Sequence, residues 1–137
     1  MNAPPFAPGF RLSFLDLIVL VCGAGASLAA ASFEVWFGVT IAFVVAHFFL
    51  FCNVFRVDRN LEFAWSFLFL LLMGCTIKLG LPPLHISLIV SLVGTVLVIY
   101  FQMRQPWYHG TGWRVINPGL PQWWETRNAA GGSQPSA

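Results

Sequence analysis

Apolar residues run along this chain in four blocks, at 12–31, 35–52, 61–77 and 84–101, and the polar residues gather between them. Each block is close to the roughly 20 residues that an α-helix needs to cross the hydrocarbon core of a bilayer. None alternates with the period of two expected for a barrel strand. Backbone groups in hydrocarbon must also be paired within their own segment, so helices are the economical solution. The pattern predicts an all-α membrane protein with four transmembrane helices in an up-down bundle at 12–101. A short leader at 1–11 precedes it and a Trp-rich tail at 102–137 follows it.

The connections carry their own signals. Ser32 is expected to cap the second helix, with Glu34 in its first turn, and Asp58 or Asn60 to cap the third. Gly80 suits a left-handed end to the third helix, Lys78 complements its dipole, and Pro82 and Pro83 stop it and open the fourth. Asp16, Leu20, Gly23, Ser27 and Ala30 recur at helical spacing along one face of the first block, and Gly25 and Ala29 repeat a small-xxx-small pattern slightly around the cylinder. Ser87, Ser91 and Thr95 form a polar stripe beside Gly94 on the fourth block. Both features predict close helix packing within the chain ahead of an oligomer interface.

Composition agrees: 58% hydrophobic and 9% charged residues could not give a soluble domain of this size a wettable surface. A net charge of +2 without a polybasic block sets nucleic acid aside as a partner. Arg11, Arg56, Arg59, Arg104, Arg114 and Arg127 all fall on one side of a four-span threading, against Lys78 alone near the other. By the positive-inside rule both termini are expected in the cytoplasm. A competing reading, cleavage of the first block as a signal peptide after Ala29, Ala30 and Ala31, is opposed by its near-spanning length and by Asp16 inside it.

Asp16 and His47 are the sharpest chemical feature, since ionisable groups in hydrocarbon need a partner or an aqueous cavity. Counting rise from the block ends places both at about the same depth on antiparallel neighbours, with Thr40 on the His47 face, so the two are expected to meet as an intramembrane polar pair. Such a pair joins two helices or, in the alternative, relays a proton. No cofactor is expected, because His47 and His85 lie at different levels and cannot both ligate one haem. Single-His ligation of a haem or chlorin at His47 is the alternative. Cys22, Cys52 and Cys75 show no CxxC or zinc spacing, and no P-loop, GxSxG or HExxH motif occurs, so neither a metal site nor an enzyme is expected.

The polar segments hold the remaining candidates. Arg56 and Arg59, in NVFRVDRNLE, can grip anionic lipid headgroups, pair with Asp58 and Glu62, or meet a partner. Trp107, Trp113, Arg114, Trp123 and Trp124 sit in a tail rich in Pro and Gly, expected to be irregular and to lie along the interface or against another protein. The residues 129–137 read as a loose end. Size and span count are similar to those of small multidrug transporters. Their first-helix acid is Asp16 here instead of Glu, however, and their aromatic and Gly pattern is missing, so no family is assigned. The expectation is a non-catalytic accessory or scaffolding subunit of a larger assembly in a bacterial inner membrane, contacting lipid and other membrane subunits or itself. The alternative is a small homo-oligomeric carrier using Asp16 and His47.

Overall fold

The structure, a computed structural model, describes residues 6–131, with side chains to Ala129. Pro4 and Pro5 of the leader and residues 132–137 of the expected loose end lie outside the described residues, while 129–131, read as part of that loose end, are helical. Among the described residues every regular element is helical. Helix α1 spans Phe14–Ala31, α2 Val35–Phe49, α3 Arg59–Leu79 and α4 Leu84–Met103. The second continues without a break into a π-helical segment, Leu50–Phe55, and the tail adds the short helices α5, Trp113–Ile116, and α6, Leu120–Gly131. Taking the second as Val35–Phe55, the four long helices each contain an 18-residue stretch of high mean hydropathy, 2.1, 2.2, 1.6 and 2.3 in chain order, and are long and apolar enough to cross a membrane.

Local chemistry sets the ends. The first helix starts two residues later than its apolar block because Ser13 and Asp16 form a reciprocal capping box, Asp16 N–H to Ser13 Oγ at 3.2 Å and Ser13 N–H to Asp16 Oδ2 at 2.6 Å. Ser32 does not cap α2: its hydroxyl donates to Ala29 O at 2.7 Å, back onto the end of α1, and Glu34 takes the N-cap position without a side-chain bond. The connection is too short for Ser32 to serve both helices. Asp58 caps α3 through Asn60 N–H at 3.1 Å, and Gly80 closes it at φ 69°, as the sequence implies.

Without a hydrophobic force between helices in lipid, association rests on close packing and hydrogen bonds. On α1, Gly23 faces Val45, and Ser27 Oγ donates to Gly38 O at 2.7 Å, so the Leu20–Ser27 face is spent on α2. Gly25, by contrast, faces open space. Helices α3 and α4 join through the polar stripe: Ser87 Oγ lies 2.7 Å from Thr76 Oγ1, and Trp65 Nε1 donates to Thr95 Oγ1 at 2.9 Å and Ser91 O at 3.0 Å. Between the two hairpins stands an aromatic cluster of Phe43, His47, Phe51, Trp65 and Phe69. Trp65 stacks on Phe69 at 5.4 Å and meets Phe51 edge-on at 5.3 Å, contacts worth about 0.5–1.5 kcal/mol each beyond buried area.

Candidate functional site

At the end of the bundle where α1 begins and α4 finishes, the leader, the α2–α3 turn and the tail fold together into a cap. Its organising element is the π-helical segment, since a widened i→i+5 ladder at a helix end leaves carbonyls in need of outside donors. Val57 N–H takes Phe51 O at 2.8 Å, and Arg11 N–H from the leader takes Asn53 O at 3.2 Å. From the tail, Thr111 gives Val54 O both its N–H at 2.8 Å and its Oγ1–H at 2.9 Å. Gln102, only 1% exposed, clamps the turn from α4: its Nε2 donates to Arg56 O at 3.3 Å and its Oε1 accepts Asp58 N–H at 3.1 Å. Gly110 is required where the tail crosses, because a Cβ there would lie 2.5 Å from Phe55 O.

Arg56 ends the π segment in the left-handed conformation, φ 48° and ψ 55°, which costs a non-glycine residue roughly 1 kcal/mol. The surrounding bonds hold it there. Its Nη1 donates to Ala7 O at 2.7 Å, and burial together with the Arg11 charge pushes its guanidinium below its ordinary range. Tyr108, fully buried, donates its hydroxyl to Thr111 O at 2.7 Å, and burial raises its phenol above the ordinary value. Phe6 packs on Trp113 at 5.9 Å and Trp124 at 5.7 Å, and Gly9 N–H meets His109 O at 2.7 Å, which ties leader to tail.

Among the described residues, hollows open in the cap at three places. The first, about 570 Å³, is lined by the leader with Arg56, His109 and Trp124. The second and third, about 390 Å³ each, share His109 and Trp107. Arg56, Arg59, Asp58 and Glu62 line the second, and Asp58, Trp123, Trp124 and Arg127 the third.

The candidates from sequence divide accordingly. Arg56, Arg59, Trp107, Trp123 and Trp124 line the hollows. Trp113 packs on Phe6, and the exposed Arg114 lies over the Trp113 ring at 5.8 Å. Neither Arg56 nor Arg59 forms an ion pair with Asp58 or Glu62. Asp58 caps α3, and Glu62 accepts from Cys52 Sγ at 3.8 Å. The tail, read as irregular, instead carries α5 and α6 and docks on its own chain, with Leu120 and Tyr108 buried.

Asp16 and His47 do not bond to each other. Asp16 is held in the first turn of α1 by Ser13. His47 lies eight residues before the end of its span at Phe55, roughly 10 Å deeper. The extension of the second span beyond 52 separates the two levels. His47 stacks on Trp65 at 4.7 Å and lies tilted against Phe43 at 4.0 Å, and its Nδ1 must donate to Phe43 O at 2.7 Å because a carbonyl only accepts. Nε2 is buried without a hydrogen-bond partner, as is Asn53 Nδ2. Thr40 bonds to Trp36 O, not to His47. Among the described residues no group of His, Cys, Asp and Glu is placed to hold a metal ion.

Gln102, Thr111, Tyr108, Asn53 and Asn117, whose Nδ2 donates to Pro106 O at 2.7 Å, do the structural work of the cap and carry no motif. A readable signal exists instead for the Ser13–Asp16 capping box, in the Ser13-x-x-Asp16 spacing. Compared with family models, curated proteins and solved structures, the chain matches none.

Proposed function

We propose that this chain is a non-catalytic accessory or scaffolding subunit of a larger membrane protein complex, seated in a bacterial inner membrane with its cap on the cytoplasmic side. The observation that carries this reading is the folded cap. Tyr108 and Leu120 are buried inside it, while Trp107, Arg59, Arg114 and Val115 remain exposed on its surface. A preorganised surface of Trp and Arg loses little side-chain freedom on association, and these residue types dominate binding hot spots. Helix α1 adds a second face: it has no buried residue, and its extensive packing is against α2. That leaves most of its circumference for lipid or another helix.

The carrier reading gains less from the geometry, because Asp16 and His47 are bound separately and at different depths. Purification of the tagged full-length chain in a mild detergent tests the proposal. Recovery at fixed stoichiometry with the same integral membrane proteins, weakened by Trp107→Ala with Arg59→Ala, is the expected result. A purified homo-oligomer that moves solute across vesicles on its own would overturn it.

A further inference from the structure

The first hollow of the cap holds two cationic side chains and no acid. Arg11 and Arg56 line it together with Phe6, Pro8, Phe10 and Trp124. Asp58 and Glu62 line the neighbouring hollow, which Arg56 also borders without an ion pair to either, and Asp16, the acid near Arg11, is engaged by Ser13. Among the described residues no ion pair joins either guanidinium to a carboxylate. Arg56 is nonetheless half-buried and pinned by Ala7 O, so its fork is fixed in place beside a second positive charge. Such an arrangement is left unbalanced by the protein itself and matches an oxyanion with several acceptor oxygens.

We propose that Arg11 and Arg56 form a binding site for a phosphate group, carried by an anionic phospholipid headgroup or free in solution, in this hollow of about 570 Å³. The position and lining favour the lipid source. Arg11 lies three residues before the start of α1 and Arg56 directly follows the second span, so the site stands at the level where headgroups lie. Phe6, Phe10, Pro8 and Trp124 supply an apolar wall that suits the glycerol and upper acyl region, whereas a free ion uses only the guanidiniums. The site needs no protein partner and stands apart from the accessory role.

The test titrates short-chain phosphatidylglycerol, phosphatidylcholine of equal chain length, and inorganic phosphate into the full-length chain in neutral detergent, following Trp fluorescence. At about fivefold in affinity per interfacial cation, Arg11→Gln is expected to weaken phosphatidylglycerol binding about fivefold, and the double variant with Arg56→Gln about thirtyfold. Arg104→Gln serves as a control of equal charge, since Arg104 lies over the Tyr100 ring outside the hollow, and is expected to change binding less than twofold. Phosphate binding that the double variant loses, at matched affinity with the lipid, keeps the site and assigns it to the free ion. Unchanged lipid binding in the double variant, or equal loss in Arg104→Gln, overturns the proposal. Should the double variant unfold, Arg11→Gln decides alone, because only the backbone N–H of Arg11 is bonded.

Discussion

Tyr108 sits where the tail folds back on itself, with its phenol the donor to Thr111 O and its ring fully enclosed. Only the neutral phenol can donate, and burial raises its pKa in the folded state above the ordinary 10.0. A folded-state pKa above the unfolded one stabilises the fold fully below about pH 10 and is lost as pH rises through the folded value. Docking of the tail, followed by protease resistance of the 104–131 region, is therefore expected to be flat from neutral pH to about 10 and to fall above it. Tyr108→Phe should remove that dependence and weaken docking by about 1 kcal/mol at neutral pH. At this scale the sequence was a partial guide. It marked Asp16 and His47 as unusual, but which atom each would bond depended on Ser13 and Phe43 in the same helix, where short-range bonds won over a partner across the bundle.

Among the elements, α1 depends on α2 through a contact that only glycine permits. A Cβ at Gly38 would lie 2.5 Å from the Cβ of Ala31 and 2.7 Å from Ser27 O. Because the latter is backbone, a larger residue there must push the helices apart. Gly38→Leu is expected to cost about 1–3 kcal/mol and lower the unfolding midpoint in detergent. Gly25→Leu, where nothing lies within 4 Å, should leave it nearly unchanged. Equal effects of the two would place the α1 interface elsewhere. The four spans were legible because hydropathy reports directly on which solvent a segment prefers. Ends at Asp58 and Gly80 were legible too, since a cap is decided by a few adjacent residues. The π-helical continuation of α2 and the folded tail were not. Both depend on bonds between Val54 and Thr111 and between Arg56 and Gln102, which join residues far apart in sequence.

For the whole molecule, leader, α2–α3 turn and tail meet at one end, and Arg11, Arg56, Arg59, Arg104, Arg114 and Arg127 all fall in or beside that end. Cation retention predicts that this end stays in the cytoplasm. Reporters fused near Ala7 and after Gly131 are both expected to read as cytoplasmic, and one inserted between Ser32 and Glu34 as external. Opposite results for the two terminal fusions would contradict the even number of spans. Substituting Arg56, Arg59 and Arg104 together by Gln, with two Lys added beside Lys78, should produce mixed orientation.

The bond from Gly9 to His109 and the seat of Phe6 on Trp113 and Trp124 bring together stretches made roughly 100 residues apart. Synthesis delivers the leader before its partners, at about 5–20 residues per second. Until His109 and Trp113 have left the ribosome, nothing exists for Gly9 and Phe6 to close upon, and the seat is complete only with Trp124. The latch therefore cannot shut before the four spans between these stretches have been made, so its closing follows their synthesis.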